Sequence, residues 1–296
     1  MLLGILAGMA AAICQSLAFI FSRLTAIRFN GKPFTILCMA HCIMGVMSLF
    51  ILPFLNFKVT PEVMPHIGII LAMSGTYLAG MGFFFQAIKS VDASRATPIL
   101  GMKVVFIALL MIFFENASFS IWQWLAIALT TTSVFFLNIS GSTIPWKSTL
   151  LILTTAFLYA SSDMFIKKVI VVYEPLGKFN GLAFACIVNF IVCGIVSTIF
   201  LFFLPNKKRD VWKGSFYFAL AFFSANFLVF YSFSVVGVVF GNIAMSTRGI
   251  FSILLGASLV YMGIHDLESK VSKKVVIGRF IAGVMMTASI ALFSLK

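Results

Sequence analysis

The sequence predicts an all-α polytopic membrane protein: ten transmembrane helices laid out as two inverted five-helix repeats. Three observations carry that prediction. The 296-residue chain is 61% hydrophobic and only 10% charged, with a mean hydropathy of +1.12, whereas a soluble domain carries about 25% charged residues. Apolar runs near bilayer-spanning length follow one another from end to end. Polar residues inside or closing those runs recur at a nearly constant interval: Lys103 aligns with Arg248 and Gln86 with Tyr231 at 145 positions, Gln15 with Tyr159 and Arg23 with Lys167 at 144.

The runs are 2–22, 34–55, 66–88, 96–114, 121–138, 148–166, 179–204, 214–235, 239–261 and 275–293. The first has no Lys or Arg ahead of it, so it lacks the basic start of a signal peptide and reads as a retained helix. None alternates polar with apolar as a barrel strand would. Gly31-Lys32-Pro33-Phe34 before the second run resembles Gly177-Lys178-Phe179 before the seventh. The fifth and tenth runs align only across a gap filled by the hydrophilic piece around 265–269. The polar breaks are short, the longest being 56–65, 206–213 and 264–274. The chain therefore divides near 141–147, into residues 1–143 and 144–296. Five spans is an odd number, so the second unit enters the membrane from the opposite side. That is the plan of many secondary transporters, whose substrate site lies near the midplane between the halves.

The formal charge of +13 would suggest nucleic acid in a soluble protein. Here most cations close apolar runs, which points to topology and anionic headgroups, with no nucleic-acid partner. Lys and Arg concentrate in the odd-numbered loops, placing those loops in the cytoplasm and both termini outside. The five cysteines all lie inside apolar runs, where packing explains them, and no metal set completes around Cys38 and Cys42. No phosphate-cradling glycine loop occurs, and His41, His66 and His265 assemble no nucleophile site. The chain reads as a non-enzyme without a cofactor.

Two residues stand out as a site. Lys103 lies about 10 Å into its run, near mid-bilayer depth, where a cation costs about 3 kcal/mol or more to insert. Arg248 repeats it. With eight acidic residues in the whole chain, the two cations are expected to face a water-filled cavity or to share an anionic guest. Gln15, Tyr159, Gln86 and Tyr231 are neutral polar groups suited to orienting that guest, and each also suits a tie between helices. His41 reads either as an interhelical tie or as a proton-coupling or substrate group. Tyr77, Thr76, Asn226 and Asn242 are weaker candidates. Asp163, alone among the acids well inside a run, is expected to pair with Lys167 one turn along or to act as a coupling carboxylate.

The two five-helix units, the Ser90-Val91-Asp92-Ala93-Ser94-Arg95-Ala96 approach to the fourth run and the basic residues closing the first and sixth runs resemble the EamA-type repeat of the drug/metabolite transporter superfamily. The resemblance is best over 86–137. It implies ten helices, alternating access and a central cavity lined by helices one, three, four, six, eight and nine. Plastid organophosphate antiporters of that superfamily hold substrate phosphate with basic residues on helices four and nine, where Lys103 and Arg248 fall. Here Thr247, not a second basic residue, precedes Arg248.

The expected function is secondary active transport of a small polar or anionic metabolite, carboxylate- or phosphate-bearing, by a multi-pass protein of the cell (inner) membrane. The alternatives are a non-transporting scaffold subunit and a lipid or lipid-linked-sugar flippase. The expected partners are the small-molecule substrate and the lipid bilayer, and a homodimer stays open.

Overall fold

The computed structural model describes residues 1–55, 64–88, 90, 91, 96, 99–139, 145–205, 207–261 and 273–295. Most of the 141–147 boundary, residues 92–95 of the family motif and the 265–269 insert lie outside them. All regular structure among the described residues is helical. The α-helices are α1 (Leu2–Phe29), α2 (Pro33–Ile51), α3 (Ile67–Ala87), α4 (Lys103–Glu115), α5 (Ile121–Ile139), α6 (Trp146–Tyr173), α7 (Lys178–Phe203), α8 (Arg209–Val236), α9 (Val238–Ser246), α10 (Arg248–Tyr261) and α11 (Lys273–Ser294). Six are long and apolar enough to cross a membrane: α1, α2 with the turn after it, α3, α6 with its terminal turn, α7 and α8.

Several helices outrun their apolar stretches. α1, α6 and α8 each hold 28 residues, about 42 Å at 1.5 Å per residue, against a hydrocarbon core of about 30 Å. Hydropathy falls where charge begins, but backbone hydrogen bonding does not, so the charged turns stay helical beyond the apolar core. The stops are conformational. α1 ends at Asn30 and α4 at Asn116, both left-handed with φ near 50°, a conformation asparagine tolerates. Pro33 opens α2, where its missing N–H is no loss. Gly237, at φ 81°, makes the corner between α8 and α9 that a side chain would strain.

The two cation-bearing runs are not continuous α-helices. A 3₁₀ turn, Leu100–Met102, precedes α4, and the ninth run breaks at Thr247 into α9 and α10. Each break falls immediately before the cation, so Lys103 is the first residue of α4 and Arg248 the first of α10.

α1 packs along α8, α3 along α6, α2 along α7 and α5 along α11. This set of partners is unchanged when the first five runs are exchanged in order with the last five. At the α2–α7 crossing two glycines meet: a β-carbon on Gly45 would stand 3.0 Å from the Gly194 Cα, and one on Gly194 would stand 2.9 Å from the Gly45 Cα. Small residues allow such backbone approach where lipid gives no hydrophobic drive for helices to associate. Phe84, Phe85, Phe190, Phe218, Phe222 and Phe230 fill the interior, while Phe50, Phe54, Phe114, Phe202 and Phe203 point outward. Apolar inside and apolar outside is what a bilayer permits.

Candidate functional site

A cavity of about 70 Å³ lies at the centre of the bundle. Gln15 of α1, Tyr77 of α3, Tyr159 and Asp163 of α6, Asn226 of α8, Asn242 of α9, and the N-termini of α4 and α10 with Lys103 and Arg248 all line it. The volume holds a few waters and falls well short of the roughly 300–1,000 Å³ of a metabolite pocket. It lies within a much larger set of polar groups than so small a void needs.

The two cations are held differently. The Lys103 ammonium donates to Asp163 Oδ2 at 2.6 Å and stands 5.6 Å from the centroid of the Tyr159 ring. Asn242 Nδ2 donates to the same oxygen at 2.7 Å, and to the Val238 carbonyl at 2.9 Å. Asp163 is 5% exposed, so this carboxylate is buried, paired and doubly hydrogen-bonded, as burial of a charge requires. The Arg248 guanidinium donates to Gln15 Oε1 and lies 5.8 Å from the centroid of the Phe19 ring. Its Nε is buried without a partner. Among the described residues no carboxylate pairs with Arg248.

This corrects two sequence expectations. Asp163 does not pair with Lys167 along α6. It turns to Lys103 on α4, and Lys167 pairs with Glu115 at the end of α4. Nor do both cations lack an acid: Lys103 has one, and Arg248 has none among the described residues. Spacing along one helix could propose the i,i+4 pair, but only the docking of α4 on α6 offers the closer partners.

α4 and α10 both start at the cavity wall, with Gly101 and Val104 beside one and Gly249 beside the other. Each follows directly on a helical turn: the Lys103 N–H donates into the 3₁₀ turn before it, and Ile250 and Phe251 donate to the Thr247 carbonyl. Two cationic side chains thus converge on one small space, with one carboxylate among the described residues beside them.

Gln15 and Tyr159 line the cavity as grouped by the sequence. Gln86, Tyr231 and His41 do not. Gln86 stands nine residues beyond Tyr77 on α3, about 14 Å along and half a turn round, and is exposed. Tyr231 stands two residues beyond the cavity-lining Val229 on α8, about 3 Å along but more than half a turn round, so it faces away. His41 is fully buried behind the wall. Its Nδ1 lies 2.8 Å from the Leu37 carbonyl, which can only accept, so Nδ1 carries the proton. Nε2 then accepts from the Tyr77 hydroxyl at 3.0 Å. His41 orients Tyr77, whose ring stacks on Tyr159 at 6.1 Å between centroids. Sequence reasoning underweighted Tyr77, Asn226 and Asn242 and passed over Asn189, Ser162 and Phe19. Asn189 and Ser162 were findable as polar residues inside apolar runs. Phe19 carried no signal in a chain with 35 phenylalanines.

Residues 2–139 match the model of the EamA-like transporter family. The match spans 138 of the 296 residues, just under half, so it is the first half of the chain that is similar to that family. With its long apolar helices the chain is a multi-pass, transporter-like membrane protein, consistent with the drug/metabolite transporter superfamily. No curated protein matches the chain. A solved crystal structure of a protein superposes with a TM-score of 0.70 at 15% identity, over 99% of this chain and 96% of that one. At that identity the likeness is one of fold alone, and it runs over nearly the whole chain.

Proposed function

We propose that this EamA-like protein is a secondary active transporter of the cell (inner) membrane that moves a small carboxylate- or phosphate-bearing metabolite by alternating access. One observation carries the reading. Two helices broken immediately before a cation, α4 at Lys103 and α10 at Arg248, start at one buried cavity. Discontinuous helices at the substrate site recur in secondary transporters with repeated architecture. Arg248 is the stronger anion group, with an unpartnered Nε available for a forked bond.

The partner exchange of the ten runs supports two inverted halves, residues 1–143 and 144–296. The cations then come one from each half, and an anion held between them favours the state in which the halves are closed on it. The present cavity is too small for such a guest. Loading therefore requires α4 and α10 to part from α6 and α1.

The test is a thermal-shift screen of purified protein with phosphorylated sugars, carboxylic acids, amino acids and nucleotides, followed by uptake in proteoliposomes. A bound guest raises the melting temperature by mass action. Arg248→Ala and Lys103→Ala are expected to abolish uptake of whatever the wild type takes up, the first at unchanged folded yield and the second with uptake normalised to folded protein because it strands the buried Asp163. Normal transport by both variants would overturn the anion-site reading.

A further inference from the structure

The two halves of the site are not chemically equal, and the inequality has a register. The interval that aligns Gln15 with Tyr159 also aligns Phe19 with Asp163. Lys103 contacts Tyr159 and Asp163, and Arg248 contacts Gln15 and Phe19. Each cation thus meets the corresponding pair of residues on the corresponding helix. At one of the four places a carboxylate stands where its counterpart is a phenyl ring.

We propose that Asp163 is the proton-carrying group of the transporter. An incoming anion takes Lys103 from it, the freed carboxylate binds a proton from water, and anion and proton load together. This rests on the anion-site reading above. Arg248 offers the guest its first contact, since among the described residues no carboxylate occupies it. A guest reaching from Arg248 to Lys103 must compete with Asp163 for the ammonium. Once Lys103 turns away, Asp163 keeps Asn242 of α9 as its hydrogen-bond partner, and the other polar side chains lining the cavity, among them Tyr159 on its own helix, Tyr77 on α3, Asn189 on α7 and Gln15 on α1, are neutral apart from Arg248. Arg248 on α10 is then occupied by the guest, and Lys167 one turn along α6 is held by Glu115. A buried carboxylate with only neutral partners is favoured in its protonated form.

The charge balance gives the device a purpose. Among the described residues the cavity carries two cations and one carboxylate, a net single positive charge. With a monovalent anion and one proton added, it again carries one. The moving halves therefore bear the same charge loaded and empty, and a monovalent anion crosses without net charge movement.

Calorimetric titration of the full chain in lipid nanodiscs tests this, with L-lactate and with sulfate, neither of which titrates near neutral pH. Running each in two buffers of different ionisation enthalpy reads proton uptake. The expected result is about one proton taken up per anion bound by the wild type and none by Asp163→Asn. Arg248→Gln should bind at least tenfold more weakly. Binding by the wild type without proton uptake overturns the inference and leaves the transporter reading standing. Failure of the wild type to bind either anion overturns the anion site itself. Should Asp163→Asn fail to fold, the wild-type proton count alone decides.

Discussion

Arg248 lies against Phe19, its guanidinium carbon 5.8 Å from the ring centroid, in the place where register would seat the counterpart of Asp163. A cation over an aromatic face is held by the ring quadrupole without being neutralised. The contact keeps Arg248 in position at the cavity wall and leaves its charge unpaired by any carboxylate among the described residues. The first three predictions below turn on the difference between that ring and a carboxylate.

Phe19→Asp should supply Arg248 with its missing acid. The side chain is 9% exposed, so the new carboxylate would be buried beside the guanidinium and paired with it. The expected outcome is a folded protein that no longer binds or transports anions, read as loss of the ligand-induced rise in melting temperature. Phe19→Leu, which removes the quadrupole but not the apolar bulk, should retain binding.

Arg248→Lys is not expected to rescue function. Lysine offers a point charge in place of a planar fork, and charge-assisted hydrogen bonds are worth about 1.5–3 kcal/mol. Loss of one such bond predicts binding weaker by roughly ten- to a hundredfold, measured by titration of the ligand found in the screen.

Asp163→Ala should destabilise the fold more than the double variant Asp163→Ala with Lys103→Met. Removing one member of a buried pair strands the other charge at a cost of about 3–5 kcal/mol, while replacing both by apolar groups is often neutral. Melting temperatures in one detergent should therefore rank wild type and double variant together, with Asp163→Ala well below.

Gly45→Leu and Gly194→Leu should each disrupt the α2–α7 crossing. The atoms a side chain would strike there are backbone of the facing helix, which cannot rotate away. Gly75→Ala, with nothing within 4 Å of the added carbon, serves as the neutral control and should cost little beyond experimental error. Folded yield by size-exclusion chromatography separates the two outcomes.

Much of this was legible before any coordinates. The membrane-embedded helical class followed from composition, and the cation pair from two ionisable residues that a bilayer makes costly to insert. The recurrence of Gln15 as Tyr159 located two further cavity residues. The legibility stops where an answer depends on what a residue faces. Gln86 and Tyr231 obey the repeat interval as well as Lys103 and Arg248 do, yet stand outside the cavity lining. An interval fixes correspondence between halves, and not depth or facing within either. The i,i+4 spacing of Asp163 and Lys167 suggested a local pair for the same reason: along one helix it is the nearest option, and the competing helix is invisible.

The sequence by itself determined the solvent of this protein, because a chain with so few polar groups can hide its surface only in lipid. It also determined which side chains had to earn their place there. Tertiary structure alone decided how those charges are shared. The docking of α4 on α6 gives Lys103 a carboxylate, and the docking of α10 on α1 gives Arg248 an amide and a ring. Electrostatic partnership depends on distances of a few ångströms between segments far apart in the chain. No one-dimensional pattern carries those distances.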